Sequence, residues 1–188
     1  MTGSYTTTNY EEDGVQNFNG TVKFNGVALT ATATEINQAA KTSTKVGISA
    51  GSTLAVTAAL HNGTTINLDT ATGSVCTLPA ATGSGAKFKF LVTVLAILNS
   101  HKVQVANAQD FMIGIVNTVD SAAVTGYAAA NSGTVATNSD TITLNRTTTG
   151  STAVGEYLNV EDVAANTWSV NGQTASTGTA ATPFSAAV

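Results

Sequence analysis

The segment that most constrains this chain is K-F-K-F-L-V-T-V at residues 87–94, where Phe88, Phe90, Val92 and Val94 alternate with Lys87, Lys89, Leu91 and Thr93. Successive side chains of a β-strand point to opposite faces, so this run makes one long strand with a strongly apolar face and a face carrying both lysines. A helix would scatter the same groups around its circumference. Such a strand is stable only under a second apolar layer, which the rest of the chain must supply.

The flanking segments have the pattern for it. Leu54, Val56, Ala58 and Leu60 alternate before Asn62-Gly63, and Ile66 and Leu68 follow in phase, which predicts a hairpin turning at Asn62-Gly63. V-C-T-L-P predicts a strand stopped by Pro79, and the loop after it is relaxed by Gly83 and Gly85. After a turn at Asn99-Ser100 come two strands, with Val103, Val105, Phe111, Ile113 and Ile115 expected to face inward. Residues 119–139 hold few large apolar groups and read as an irregular flap. T-I-T-L-N, G-E-Y-L-N-V-E-D-V and T-W-S-V add three short strands at the spacing of a sandwich or barrel. No fixed repeat period is present, which argues against a solenoid or β-helix.

Toward the N-terminus, Val22 and Phe24 alternate with polar residues and Asn25-Gly26 predicts a second hairpin. Thr32 with Glu35 matches a capping box and predicts a short helix toward Ala40. Tyr5, Tyr10 and Phe18 lie in a first stretch without any core-forming period, which reads as an extended arm. Beyond Gly172 the tail again lacks such a period and is expected along a surface, its own or a partner's. The expected organisation is an arm with hairpin and short helix over residues 1–44, an all-β domain over 45–172, and a tail over 173–188.

Charge narrows the functional classes. Only 10% of the 188 residues are charged, against about a quarter in an average soluble domain. The net charge is −4 and the seven basic residues are scattered between Lys23 and Arg146, which disfavours nucleic-acid binding. Thr, Ser, Asn and Ala side chains order at small entropic cost, and weak self-repulsion favours a permanent assembly. The single cysteine, Cys76, has no partner for an intramolecular disulfide and reads as a buried thiol. The first residues lack the features of a secretory signal and no apolar run is long enough to span a bilayer, so the expectation is a chain made in the cytoplasm and not inserted in a membrane.

Motifs for chemistry are weak. Residues 47–51 match G-x-S-x-G, but Ser49 lacks the preceding buried strand and following helix of a nucleophile elbow. Residues 83–87, G-S-G-A-K, lack the ending of a phosphate loop. His61 and His101 stand apart beside turns and read as exposed, with no zinc spacing. The acidic groups Glu11-Glu12-Asp13, Glu156 and Glu161-Asp162 read as solvated charge, and Trp168 as a core or interface anchor. N-x-T at Asn19, Asn62 and Asn145 carries no glycan without secretion. These readings predict no enzyme, no cofactor and no metal.

A resemblance gives the reading its direction. G-V-A-L-T-A-T-A-T-E-I-N-Q-A-A resembles a segment common near the start of bacteriophage fibre and head-decoration proteins. From about Gly26 onward, T-I-N-L-D-T-A-T-G-S-V-C-T-L-P, N-S-H-K-V-Q-V, N-S-D-T-I-T-L-N and N-T-W-S-V-N-G are similar to phage capsid decoration (cement) or head-fibre proteins. The resemblance implies a trimeric, jelly-roll-like sandwich or barrel on the outer surface of the virion head, partnered by the major capsid protein and acting by binding. It also implies an arm contacting the capsid, for which Tyr5, Tyr10 and Phe18 are the candidates. The alternative is a tail-fibre or receptor-binding protein that attaches to host-surface glycans. A depolymerase would need a carboxylate pair in a groove, and an ice-binding protein a regular Thr-x-Thr array; neither pattern is present.

Overall fold

The computed structural model describes residues 10–12, 15–17, 23–25, 27–28, 30, 47–132 and 135–188. The chain divides into two compact units, residues 1–41 and 42–188. In the first unit, β1 (Tyr10–Glu12) and β2 (Val15–Asn17) pair antiparallel, as do β3 (Lys23–Phe24) and β4 (Val27–Ala28). Phe24 pairs with Val27 and Asn25 has a φ of 49°, so the expected Asn25-Gly26 hairpin forms. The β1–β2 hairpin was not expected, although Asp13-Gly14 between the two strands is a dipeptide that favours such turns. The helix expected from Thr32 toward Ala40 lies outside the described residues, as do Tyr5 and Phe18.

The second unit is an all-β sandwich of two mixed sheets. One has seven strands: β5 (Ile48–Ser49), β7 (Thr64–Leu68), β9 (Lys87–Val92), β11 (Phe111–Val119), β12 (Val124–Ala128), β14 (Tyr157–Ala164) and β15 (Thr167–Ala175), in the order β12-β11-β15-β14-β9-β7-β5. The other has five: β6 (Thr53–Ala55), β8 (Val75–Thr77), β10 (His101–Gln104), β13 (Thr141–Leu144) and β16 (Phe184–Ser185), in the order β16-β13-β10-β8-β6. From β5 to β10 the chain alternates between the sheets, and strands of successive passes pair in parallel. Ile48 pairs with Ile66 and Ile66 with Phe90, while Thr53 pairs with Val75 and Val75 with Lys102. The spacing changes with every pass, so this winding leaves no fixed sequence period.

Parallel pairing also replaces the hairpin expected at Asn62-Gly63. Strands β6 and β7 belong to different sheets, and residues expected to extend β6 instead make the one-turn helix α1 (Ala58–His61). The Thr57 hydroxyl caps it by accepting from the Leu60 N–H. The chain uses this turn to cross from one layer to the other.

Phe88, Phe90 and Val92 face inward as expected, but β9 ends at Val92 and Val94 is partly exposed. They join Ile66, Leu68, Leu158, Val160, Trp168 and Val170 against Cys76, Val103, Ile142 and Leu144 of the other sheet. The Trp168 and Phe88 rings tilt together at 5.8 Å between centroids. The tail joins this core, since Phe184 is buried and β16 pairs antiparallel with β13.

Strand β11 corrects the expected orientation. Its residues alternate apolar on both faces, and Met112 and Val116 point inward while Phe111, Ile113 and Ile115 point outward. Parallel pairing with β15 fixes this phase, placing Met112 beside Trp168 and Gly114 beside Val170. Gly114 has a φ of 121°, and a Cβ there would overlap the Val170 carbonyl oxygen. Farther along, the buried hydroxyls of Thr118 and Thr174 share a hydrogen bond of 2.8 Å. Gly114→Ala is expected to destabilise the fold by more than about 2 kcal/mol, through strain at positive φ and backbone overlap. Urea unfolding of the variant checks this; a midpoint matching wild type contradicts the register argument.

Candidate interaction face

The outward phase of β11 builds an apolar stripe at one side of the seven-stranded sheet. In register, Ile115 lies between Ala128 of β12 and Asn171 of β15, and Val119 lies between Val124 and Ala175. Ile115 is 53% exposed, Val119 44% and Val124 65%. Among the described residues, no strand pairs with the outer edge of β12. Edge strands are commonly blunted by lysine, proline or a bulge, and V-T-G-Y-A has none of these. The Asp120 carboxylate accepts from the Ala122 and Ala123 N–H groups at 2.8 and 2.7 Å, which tightens the β11–β12 turn and lowers its pKa. The expected flap is therefore partly an ordered edge strand. Its alternation is hard to see because small residues fill β12.

Across the same sheet the face becomes polar. The Asn159 amide donates to Asn171 at 3.0 Å, Lys87 pairs with Glu161 at 3.2 Å, and the Lys89 ammonium lies 5.3 Å from the Tyr157 ring centroid. Lys87, Lys89, Asn159, Glu161 and Asn171 line a depression of about 310 Å³, with Thr65 and Ser169 also on its wall.

The residues of the weak catalytic motifs have these hydrogen-bond partners. The exposed Ser49 hydroxyl accepts from the Gly51 N–H at 3.2 Å, while His61 bonds to Thr57, and His101 to Ser74 and Val94. His101 meets Ser74 through the serine's backbone N–H, not its hydroxyl, and the Ser49 hydroxyl is bonded to the Gly51 N–H. Both histidines are buried, contrary to expectation, His101 completely. Cys76 is buried as expected, and burial first, then Asp69, pushes its thiol pKa up to about 12. Trp168 lies in the core. Tyr10 belongs to β1 in the first unit. Among the described residues, no group of three His, Cys, Asp or Glu side chains could hold a metal, and no helix is long and apolar enough to cross a membrane.

The largest departure concerns acidic groups, several of which are buried instead of solvated. Asp162 accepts from the Thr82, Gly83 and Ser84 N–H groups and from the Thr82 and Ser84 hydroxyls, at 2.7–3.1 Å. The loop that resembled a phosphate cradle thus already holds an anion, the protein's own carboxylate. Glu156 similarly accepts 2.7 Å bonds from Ser151, Thr152 and Ala153, Asp110 ties the Ala81 N–H, and Asp140 holds the Ala187 and Val188 N–H groups. Glu156 reaches a loop only three to five residues before it, a local spacing open to sequence reading, whereas Asp162, Asp110 and Asp140 bind loops that single-sequence spacing cannot join to them.

Comparison with family models, curated proteins and solved structures finds no match to this chain.

Burial alone would raise the Asp162 pKa, but hydrogen bonds from the Ser84 side chain and the Ser84, Gly83 and Thr82 backbone outweigh it and hold the carboxyl at about 2. The folded-state value lies below the ordinary 3.8, so this stabilisation is fully present above pH 3.8 and is lost as pH falls through about 2. Asp162→Ala is expected to cost about 3 kcal/mol near neutrality, because several donors lose a buried acceptor. Chemical unfolding of both proteins at several pH values checks it. The difference should shrink below pH 3.8; a pH-independent cost contradicts the carboxylate's role.

Proposed function

We propose that this chain is a structural virion protein that binds the outer surface of a phage head as a trimer and clamps neighbouring major capsid subunits. The observation that carries the reading is the exposed stripe of Ile115, Val119 and Val124 beside the unpaired edge of β12. A strand edge offers unpaired backbone groups, and burying each aliphatic side chain contributes about 2 kcal/mol. We assign this stripe to the contact between copies. The capsid contact falls to the N-terminal arm with Tyr5, Tyr10 and Phe18, as the resemblance implies. One trimer gripping several capsid subunits makes the later contacts effectively intramolecular, so modest interfaces add up to firm attachment. Binding only the expanded lattice stabilises that lattice by mass action. The protein acts by occupancy, without turnover.

A second reading, attachment to host-surface glycans as a tail-fibre or receptor-binding protein, draws on the polar depression around Lys89, Asn159 and Asn171. Hydroxyl-rich ligands suit its amide and ammonium groups. Location distinguishes the two readings, since a fibre tip belongs on the tail.

Sedimentation equilibrium is expected to give three chains per particle for the wild type. The double variant Ile115→Lys, Val124→Lys should sediment as a monomer that still unfolds cooperatively in urea, because both side chains are solvent-facing in the single chain, while losing the part of wild-type stability that association supplies. The trimer should cosediment with expanded heads of the phage that encodes it and raise their resistance to heat. A monomeric wild type without affinity for heads contradicts the proposal.

A further inference from the structure

The loop between β9 and β10 carries a second group of exposed apolar side chains, Val94, Ile97 and Leu98. Its backbone is bound to neighbouring turns. The Ile97 and Leu98 N–H groups donate to the Ala71 carbonyl at 2.7 and 3.3 Å, Asn99 donates to the Thr72 carbonyl, and the Ala96 N–H donates to the Ser151 hydroxyl. The Arg146 guanidinium donates to the Ile97 carbonyl. Gly73 packs so closely that a Cβ there would lie 2.6 Å from the Ser100 carbonyl oxygen.

At the base of this loop sits His101, fully buried and bonded through both ring nitrogens. Nε2 lies 3.0 Å from the Val94 carbonyl oxygen, which only accepts, so the proton is on Nε2. Nδ1 is therefore bare and accepts the Ser74 N–H at 3.0 Å. A second proton on the imidazole would have to enter at Nδ1, directly against that N–H. The Ser74 hydroxyl oxygen, on the same residue, is buried and has no hydrogen-bond partner. It bonds neither to Nδ1 nor to any other group, so it is available as an acceptor if the side chain turns.

We propose that His101 is an acid-operated latch on the turn before Ser74: its protonation at Nδ1 breaks the bond from the Ser74 N–H in favour of the Ser74 hydroxyl, keeps the Nε2–H bond to the Val94 carbonyl, and loosens the turn whose Ala71 and Thr72 carbonyls hold Ile97, Leu98 and the Asn99 side chain. The proton comes from solvent and no covalent bond changes. The ionisable groups on the surrounding segments are Asp69, Cys76, Lys102, Arg146 and Glu156. Burial holds the imidazole pKa below its ordinary 6.5, against the Val94 carbonyl and the Asp69 and Glu156 carboxylates, which favour the charged form. The unfolded chain thus binds the proton more readily than the folded one. The latch is closed above pH 6.5, and its stabilisation is lost as pH falls through the lower folded-state value.

Hydrogen exchange of the Ile97 and Leu98 amides, each referred to its intrinsic rate at the same pH, reads the latch directly. As pH falls from about 7.5 through the imidazole's own titration, followed by NMR in the same samples, their protection should fall at least tenfold in the wild type, with the core Val170 amide unchanged. His101→Gln cannot titrate and should show no such fall. Ser74→Ala keeps the N–H but removes the waiting acceptor, so its fall should move to lower pH. Constant protection in the wild type, or the same fall in His101→Gln, overturns the proposal. Should His101→Gln fail to fold, the imidazole titration followed by NMR in wild type and Ser74→Ala decides. Coincidence with the protection loss supports the latch, and separation by more than about one pH unit overturns it.

Discussion

The parallel pairing of β11 with β15 sets most of what distinguishes this sandwich. Phe111 to Val116 contains large apolar groups in both phases, so alternation by itself allows either face to turn inward. Gly114 breaks the tie, because only a residue without a Cβ fits beside the Val170 carbonyl. With Met112 against Trp168 and Thr118 against Thr174, the inner face is closed and internally hydrogen-bonded. Ile113 and Ile115 are left outside as a consequence, together with Val119. The core packing and the apolar stripe are two results of one register.

A second theme is how a chain with few charges fixes many Gly-, Ser- and Thr-rich loops. Such loops cannot rely on apolar burial, and their N–H groups need acceptors when covered. Single buried carboxylates supply several bonds each: Asp162 ties residues 82–84, Glu156 ties 151–153, and Asp140 ties the last two residues. An isolated buried charge is costly, but one surrounded by backbone donors is stabilised as an anion. Asn145 works the same way without charge, accepting from the N–H groups of residues 147–149. The loops between strands are thereby held in defined shapes, including the one that His101 anchors.

The all-β class was legible because alternation at residues 87–94 is strictly local, and so were the buried Cys76, the core Trp168 and the Asn25 turn. Pairing between distant strands was not. Asn62-Gly63 carries a hairpin signal, yet Thr57 caps a helical turn just before it and sends the chain to the other sheet. Passes of unequal length hid the parallel winding from any search for a period. The histidines were misread because a turn-adjacent position suggests exposure, whereas His101 is enclosed by segments far apart in sequence, at Ser74 and Val94. The outward stripe escaped for the same reason, since its phase depends on a strand more than fifty residues away, as the pairing of Gly114 with Val170 illustrates.

A stripe that a lone sandwich leaves uncovered, a first unit with its own hairpins, and a surface of small uncharged side chains together suit the proposal of a protein that works by lying between others. An electron cryomicroscopy reconstruction of the mature particle tests that account most directly. The account predicts three copies around a threefold axis on the outside of the head, with Ile115, Val119 and Val124 buried between copies. Density for the chain only on the tail, or a sandwich on the shell with that stripe facing solvent, would contradict it.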